Sequence, residues 1–239
     1  MNITDKHAIV TGASQGLGRA LALRLSESGA IVYAVARNSD ALNALRDQAG
    51  NNIIPVPLDI TSQESVASWI GSAFSAGNPP DILINNAGAG YFGQVEELPA
   101  TRWHQMIDTN INGMYYLTSE LVPLMKQNQS GCHIINIGSI LGKVGSPERT
   151  GYCASKFAVQ GFSEALSKEL RYDGIKVTCF NPGSIATHFF EESGVKPHDQ
   201  MLQPEDLADT LIHILQTPDN MLVSEITIRP LNPRPSNQD

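Results

Sequence analysis

The sequence predicts an α/β fold in which one doubly wound, seven-stranded parallel sheet carries helices on both faces. Short β-like segments alternate with helical segments along the whole chain. Several of the β-like segments are apolar almost throughout, which is typical of strands that are buried on both faces. The 239 residues contain no linker-like stretch and no internal repeat, so we expect a single domain over residues 1–239.

The elements follow one another in a regular βα order. The predicted strands cover residues 7–11, 31–36, 53–58, 82–85, 133–137, 176–181 and 225–229. The predicted helices cover residues 16–28, 40–49, 62–74, 101–128, 151–172 and 204–216. Pro204 followed by two acids, Glu205 and Asp206, is a favourable helix start. Because crossovers between parallel strands are right-handed, this order predicts one sheet between two helical layers.

The composition argues against several classes of protein. Apolar residues make up 41% of the chain and charged residues 17%, which favours a packed core over disorder. The net charge of −8 argues against nucleic-acid binding. The 3 cysteines have neither metal-ligand nor disulfide-framework spacing, so we expect no metal site. With no signal-like start and no apolar run of about 18 residues, we expect a cytoplasmic protein without a membrane partner.

The first βα connection reads Thr-Gly-Ala-Ser-Gln-Gly-Leu-Gly over residues 11–18. Glycine is needed where a chain turns tightly, where backbone amides approach a phosphate and where a helix packs closely on a strand. The following helix would direct its N-terminus at an anion. Ordinary connections can also be glycine-rich, but the position after the first strand of a βαβ unit favours a dinucleotide site.

The end of the second predicted strand indicates which dinucleotide is bound. A site for NAD requires a carboxylate there to accept from the ribose 2′-hydroxyl. This chain has no acid at that position and continues with Arg37 and Asn38. A guanidinium suits a 2′-phosphate, whereas the alternative is an arginine that is only solvated. We therefore predict NADP(H).

Tyr152 and Lys156 lie four residues apart in a predicted helix and share one of its faces. Ser139 precedes the tyrosine by thirteen positions. A positive charge beside a phenol favours the phenolate, so we expect the lysine to lower the pKa of Tyr152. The alternative for this spacing is a packed ring beside a solvated charge. Together the three side chains are suited to moving a proton to or from an oxygen on carbon.

Seven motifs in this order resemble those of the short-chain dehydrogenase/reductase family over essentially the whole chain. They are Thr-Gly-Ala-Ser-Gln-Gly-Leu-Gly at 11–18, Leu-Asp-Ile around Asp59, Asn-Asn-Ala-Gly at 85–88, Thr-Asn-Ile-Asn-Gly around Asn110, Asn-Ile-Gly-Ser ending at Ser139, Tyr-Cys-Ala-Ser-Lys at 152–156 and Asn-Pro-Gly-Ser-Ile-Ala-Thr at 181–187. The resemblance implies a Rossmann-type fold, a nicotinamide cofactor and hydride transfer between a carbonyl and an alcohol.

The resemblance also implies roles for individual residues. Tyr152 is the implied general acid or base, Ser139 holds the substrate oxygen, and Lys156 binds the nicotinamide ribose. Asn110 is implied to lie at a helix irregularity and to hold a water that links Lys156 to solvent. The residues implied to contact the cofactor are Gly12, Ser14, Gln15, Gly16, Leu17, Gly18, Arg37, Asn38, Asp59, Ile60, Asn86, Ala87, Gly88, Tyr152, Lys156, Pro182, Gly183, Ile185 and Thr187.

The chain departs from the family pattern in two places. Gly138 stands where many relatives have a second serine, and we expect it only to open local space. The segment 224–233 replaces the usual glycine-rich ending and resembles the branch of NADP-dependent 3-hydroxy-acid dehydrogenases and sepiapterin-reductase-like enzymes. Apolar residues on several faces of the two long helices predict a homodimer at least. The altered ending argues against the alternative, a homotetramer, because in relatives that segment often contributes to one of the two dimer interfaces.

Substrate contacts are expected in loops at the carboxyl ends of the strands. The candidate loops are 89–92, 140–145, 147–149 and 188–197, and residues 188–200 are predicted to form a lid over the substrate. The individual candidates are Ser139, Leu141, Arg149 and Phe189. Lys143 or Arg149 could receive a substrate carboxylate, although solvated charge is the ordinary alternative for both.

The predicted function is NADPH-dependent reduction of a small ketone, aldehyde or keto acid, or the reverse oxidation, with Tyr152 exchanging the proton. One alternative is reduction of a 3-oxoacyl thioester. An alternative of another class is a non-catalytic sensor or scaffold that binds NADP. The presence of Asn110, Ser139, Tyr152 and Lys156 together argues against the sensor, which would not need all four.

Overall fold

The computed structural model describes residues 1–187, 189 and 198–233. In this part of the chain, a parallel sheet of seven strands has the order β3-β2-β1-β4-β5-β6-β7, which confirms the predicted fold. The strands are β1 (His7–Thr11), β2 (Ile31–Ala36), β3 (Ile53–Pro57), β4 (Ile82–Asn85), β5 (Cys132–Ile137), β6 (Ile175–Pro182) and β7 (Glu225–Ile228). The strand order reverses between β1 and β4, and open α/β sheets bind ligands in the crevice at such a reversal.

The helices in the same residues are α1 (Gly16–Glu27), α2 (Ser39–Ala49), α3 (Gln63–Ala73), α4 (Ala100–Ile107), α5 (Gly113–Met125), α6 (Thr150–Leu170) and α7 (Pro204–Leu215). Side-chain caps begin two of them: Asn38 accepts from the Ala41 N–H at α2, and Ser62 accepts from the Ser65 N–H at α3. These local signals explain why most predicted bounds differ from the observed ones by only one or two residues.

Two apolar clusters cover the two faces of the sheet. One cluster joins the strands to α1, α2 and α7 and includes Val10, Leu21, Ile84 and Leu211. The other joins them to α3, α5 and α6 and includes Ile9, Leu83, Leu117 and Leu166. Consecutive strand residues such as Ile9 and Val10 belong to opposite clusters because strand side chains alternate between faces. With both faces covered, the ends of the strands are left to form a site.

The helix predicted over residues 101–128 is observed as one continuous helical stretch over residues 100–125, but it is not α-helical throughout. A π-helical segment, Asp108–Asn112, separates α4 from α5 and contains the buried Asn110. This is the helix irregularity that the family resemblance implies at Asn110. Such segments are rare and are found frequently at functional sites. Hydrophobic periodicity cannot reveal them, since they add only one residue to an otherwise regular pattern.

The lid predicted at 188–200 falls mostly on residues 188 and 190–197, which lie outside the described residues. Phe189 and residues 198–200 are described. In the described part of the chain, none of the helices has both the length and the hydropathy needed to cross a membrane.

Candidate active site

A cavity of about 730 Å³ opens at the carboxyl edge of the sheet. Every residue predicted to contact the cofactor lines it, and so do the substrate candidates Ser139, Leu141, Arg149 and Phe189. Of the predicted catalytic residues, Ser139, Tyr152 and Lys156 line the cavity, whereas Asn110 is buried and bonded to the lining residue Ala89. Residues that are far apart in the chain therefore meet at the reversal of strand order.

The glycine-rich turn lies against the end of β4. Gly12 and Gly16 have φ angles of 66° and 54°, a left-handed conformation that favours glycine. A Cβ atom on Gly18 would lie 2.3 Å from the Gly12 carbonyl oxygen and 2.4 Å from Asn86 Nδ2. These positions thus need glycine for backbone conformation and for close packing, as the motif predicts.

The N-terminus of α1 faces this cavity without a neutralising group from the described residues. Its N-cap residue, Gln15, makes no side-chain capping bond there, and the first turn contains no acid. The first amides of a helix lack partners inside the helix, and they carry the positive end of the helix dipole. The turn therefore fits the phosphates of a dinucleotide.

Asn86 ties the ends of β1 and β4 together on the cavity floor. Its backbone N–H donates to Thr11 Oγ1 at 2.9 Å and its Nδ2 donates to the Thr11 carbonyl at 2.8 Å. The Ala87 N–H donates to the same hydroxyl at 2.9 Å. These bonds hold the segment that leads to Gly88 against the glycine-rich turn.

The predicted adenosine end of the cavity is lined by Arg37, Asn38 and Asp59. Arg37 is exposed on the rim, and Asn38 uses its side-chain oxygen to cap α2. Asp59 accepts from the N–H and hydroxyl of Thr61 at 3.0 and 2.8 Å. A cation therefore stands at the end of β2, where an NAD site would have a carboxylate.

Ser139, Tyr152 and Lys156 form the opposite end of the cavity. The Ser139 side chain lies close enough to the Tyr152 hydroxyl to favour the phenolate, and Ser139 Oγ accepts from the Leu141 N–H at 3.1 Å. Lys156 Nζ donates to the Ile137 carbonyl at 2.8 Å and lies 5.8 Å from the centre of the tyrosine ring. Two hydroxyls thus converge, with an amine beneath the ring.

Burial governs the protonation of this group. It raises the pKa of Tyr152 to about 12, although the nearby Ser139 side chain opposes the shift. Burial also lowers the pKa of Lys156 to about 8. The expectation that the lysine lowers the pKa of the tyrosine is wrong for the protein chain by itself. Both charged forms lose water here, and the amine bonds to a backbone carbonyl instead of the phenol.

Asn110 holds two parts of the site together. Its Oδ1 accepts from the Ala89 N–H at 2.7 Å, and its Nδ2 donates at 2.9 Å both to the Ala89 carbonyl and to Ser155 Oγ. The Ser155 hydroxyl donates in turn to the Tyr152 carbonyl at 2.8 Å. The π segment is thereby joined to the loop after β4 and to the first turn of α6. The water implied to link Lys156 to solvent stays a prediction.

Aromatic rings flank the tyrosine on the substrate side. The centroids of Phe92 and Phe189 lie 5.6 and 5.9 Å from that of Tyr152. A Cβ atom on Gly90 would lie 2.8 Å from Phe189, so glycine allows the ring to approach. The Arg149 guanidinium lies 5.3 Å from the Phe92 ring centre and donates to Ser146 Oγ at 2.8 Å. This part of the cavity is an apolar pocket with a cation at its wall.

Some sequence-based expectations for the substrate side need correction or addition. Lys143 does not line the cavity but pairs with Glu225, so Arg149 is the candidate cation that remains. Phe92 was expected only as part of a loop, and Thr61 and Ser184 were missed as lining residues. The aromatic type of Phe92, in a glycine-rich loop after β4, was the signal available for it.

The expectation that Gly138 only opens space is also wrong. A Cβ atom there would lie 2.0 Å from Asn181 Oδ1. That oxygen accepts from the Ser139 N–H at 3.1 Å, so the side chain of Asn181 occupies the space. As for metals, residues 1–187, 189 and 198–233 contain no group of three or more His, Cys, Asp or Glu side chains that could hold an ion.

Comparisons with known proteins agree with this geometry. The family model described as short chain dehydrogenase matches residues 6–197. An uncharacterised oxidoreductase of Staphylococcus aureus (strain MRSA252) is 38% identical over 231 residues, covering 96% of this chain and 99% of the relative.

Two solved structures have the same fold. The closed form of serine dehydrogenase complexed with NADP+ is 27% identical with a TM-score of 0.84, covering 92% of this chain and 93% of that one. The 3-ketoacyl-(acyl-carrier-protein) reductase of Brucella melitensis, complexed with NADH, is 27% identical with a TM-score of 0.87, covering 96% and 98%. From the family match, the relative that is covered over almost its full length and the shared fold, we conclude that this chain belongs to the short-chain dehydrogenase family and is an oxidoreductase of that type.

Proposed function

We propose that the protein is an NADP(H)-dependent oxidoreductase that interconverts a carbonyl and an alcohol on a small molecule, with Tyr152 exchanging the proton. The observation that carries this proposal is the pair of buried hydroxyls, Ser139 and Tyr152, which meet at the end of a cavity suited to a dinucleotide.

The side chains of this site suit carbonyl reduction. A bound nicotinamide supplies the hydride. Negative charge then develops on the carbonyl oxygen, and the hydroxyls of Ser139 and Tyr152 stabilise it by hydrogen bonds. Because burial raises the pKa of Tyr152 to about 12, the phenol is protonated at neutral pH and can act as the acid. General acid catalysis of this kind contributes roughly 10²–10⁴-fold.

The choice of NADP(H) is supported by the rim of the adenosine end. Arg37 is exposed there and the end of β2 has no acid. A guanidinium pairs well with a phosphate, whereas a carboxylate would repel it. Among the similar structures, serine dehydrogenase is complexed with NADP+ and the Brucella reductase with NADH. The test is a comparison of kcat/KM for the two reduced cofactors; an NADH value equal to the NADPH value or above it contradicts the proposal.

For the substrate we propose a keto acid or the corresponding hydroxy acid. Arg149 is the cation that lines the pocket beside the two phenylalanines, and a carboxylate would pair with it. The runner-up is a 3-oxoacyl thioester. The membership of the hydroxy-acid and sepiapterin-reductase-like branch stays a prediction.

NADPH oxidation over a panel of carbonyl compounds tests these assignments. Diketones, 3-keto acids, acetoacetyl thioesters and pterin ketones form the panel. We expect Arg149→Ala to lose activity selectively on keto acids, while Arg171→Ala, an arginine that follows α6, serves as the matched control. Equal activity of Arg149→Ala on all compounds removes the carboxylate assignment. NADPH binding without turnover on any compound favours the non-catalytic sensor.

We also propose that the protein forms a homodimer at least, through α5 and α6. Tyr115 on α5 and Phe157 on α6 are 52% and 46% exposed, which is unusual for large apolar side chains. Light scattering tests this proposal, and a monomer mass contradicts it.

The proposed location is the cytoplasm. The three cysteines are free and buried, which suits a reducing compartment. Fractionation of cells that express the protein tests this, and recovery outside the cytoplasmic fraction contradicts it.

A further inference from the structure

We propose that Glu225, on the edge strand β7, sets the direction of a hydrogen-bond chain that ends at the backbone amide of Ser139. Gln160 and Asn181 are the links of this chain. All three are then positioning residues for the active site. The inference rests on the proposed function, because it takes Ser139 as the residue that holds the substrate oxygen.

The chain runs from the active site to the surface. The Ser139 N–H donates to Asn181 Oδ1 at 3.1 Å. Asn181 Nδ2 donates to Gln160 Oε1 at 2.9 Å, and Gln160 Nε2 donates to Glu225 Oε2 at 2.8 Å. The other carboxylate oxygen of Glu225 pairs with the ammonium of Lys143. Elements β5, β6, α6 and β7 are thereby connected by side chains.

The carboxylate gives this chain a single direction. A side-chain amide can turn over, which exchanges its donor and acceptor ends, but an ionised carboxylate can only accept. Because Glu225 can only accept, Gln160 must turn its NH₂ group towards Glu225. The side-chain oxygen of Gln160 is then left to accept from Asn181. Asn181 must then turn its NH₂ group to Gln160 and its oxygen to the Ser139 N–H. With Asn181 reversed, two donors would face each other in a buried site.

Burial makes that direction matter at Asn181. Its side chain is fully buried, and it fills the space beside Gly138, where a Cβ atom would lie 2.0 Å from Oδ1. The amide is therefore held by packing as well as by its bonds. Gly138 and Asn181 form a matched pair, because one leaves the space that the other uses to reach Ser139.

The chain acts on the chemistry through the position of Ser139. The backbone amide of this residue is anchored by Asn181, while its hydroxyl accepts from the Leu141 N–H and lies close to the Tyr152 hydroxyl. A displacement of about 1 Å in such a group can cost roughly 10²-fold in rate. An exposed ion pair such as Lys143–Glu225 is usually worth little by itself, so an effect of Glu225 on turnover must come through Gln160.

An exchange of the two surface residues tests the direction. Glu225→Gln and Gln160→Glu are made singly and together. In the double variant, the carboxylate at 160 can accept both from Asn181 and from the amide at 225, so the original direction at Asn181 is restored with the same net charge. Glu164→Gln removes a carboxylate on α6, the helix of Gln160, that pairs with Lys168, and it serves as the control.

We expect each single variant to lower kcat by roughly 10-fold with the KM for NADPH unchanged, well within the loss that a misplaced group can cause. The double variant recovers to within about 2-fold of the wild type, and Glu164→Gln matches the wild type. A double variant as slow as the single ones, or single variants as fast as the control, overturns the proposal.

Amide hydrogen exchange at Ser139 gives a readout that does not depend on turnover. Protection of this amide falls in both single variants and returns in the double variant if the proposal holds. Unchanged protection in the single variants overturns it. A wild-type protein that turns over no carbonyl compound contradicts the proposed function instead, and the exchange measurement still decides whether the chain orients Ser139.

Discussion

A buried basic side chain lies at each end of β5, and the two differ in the polar groups that surround them. At the amino end, His133 is fully buried, and its Nε2 lies 2.8 Å from the hydroxyl of Thr178. Burial lowers the pKa of His133 to about 3, assisted by the positive charges of Lys176 and the amino terminus. At the carboxyl end, Lys156 donates to the Ile137 carbonyl, and burial lowers its pKa to about 8.

The surroundings explain the difference. Close to His133, Asp81 accepts from Lys6 Nζ, the His7 N–H and Asn128 Nδ2 at 2.8, 2.9 and 2.9 Å. Burial raises the pKa of Asp81, but these donors outweigh it and the pKa lies below its ordinary value. The amino end is thus a closed polar network that supports folding. At the carboxyl end the polar groups face a cavity, and their unmet bonding capacity is available to ligands.

The largest expected effect tests the reactive end. Tyr152→Phe removes the phenolic proton and leaves the ring between Phe92 and Phe189. We expect kcat to fall by roughly 10²–10⁴-fold, because general acid catalysis is lost, while the dissociation constant for NADPH stays within about 3-fold. Steady-state kinetics and fluorescence titration measure the two quantities. Near-normal turnover in this variant contradicts the catalytic role.

Unfolding at low pH tests the polar network at the amino end of β5. His133 has a folded pKa near 3, below its ordinary value of 6.5, so the unfolded chain binds the extra proton first as pH falls. Stability is therefore lost as pH falls from about 6.5 towards 3, and about 2 kcal/mol of this loss has occurred by about pH 4.5. Denaturant unfolding of the wild type and of His133→Leu at a series of pH values measures this effect. We expect the free energy of unfolding to fall less steeply with decreasing pH in the variant, and kcat per folded molecule to be unchanged at neutral pH. If the free energy of unfolding falls equally steeply with pH in both proteins, His133 is not the cause of the acid sensitivity.

At the carboxyl end of β5, we expect stability to depend on pH in the alkaline range. The folded pKa of Lys156, about 8, lies below its ordinary value of 10.5, so the unfolded chain keeps its proton longer. Stability is gained as pH rises, by about 2 kcal/mol between pH 8 and 10. Unfolding of Lys156→Met should lack this gain, and the variant should be inactive. If the free energy of unfolding changes equally with pH in the wild type and the variant between pH 8 and 10, burial does not lower the pKa of Lys156, and the prediction is contradicted.

The smallest expected effect lies on the exposed rim. Arg37→Ala should raise the KM for NADPH by about 10-fold and leave the KM for NADH unchanged, since only the 2′-phosphate contact is lost. Arg46→Ala, an arginine on α2 that pairs with Asp47, is the matched control. Equal changes for both cofactors contradict a role for Arg37 in phosphate recognition.

Features with a local origin could be predicted from the sequence. The strands, the glycine-rich turn and the group of Ser139, Tyr152 and Lys156 depend on short patterns, and the cavity contains them as expected. The break in the helix at Asn110 follows only from the family resemblance, because periodicity barely changes there.

Features that depend on tertiary packing could not be predicted. The pKa of Tyr152 moves upward because burial removes water from the phenolate, and burial is a property of the assembled fold. Lys143 is near Ser139 in sequence but pairs with Glu225 on β7. Gly138 looked like an open position because the residue that fills it, Asn181, comes from another strand.

The π segment at Asp108–Asn112 has a consequence for insertions and deletions in this chain. A π turn accommodates one residue more than the α-helix needs, so removal of a single residue there would let α4 and α5 join without changing the faces they bury. The same deletion would rotate Asn110 away from Ala89 and Ser155, which its amide now connects. Chain length at this point is therefore set by the contacts of Asn110 beside the cavity and not by the core.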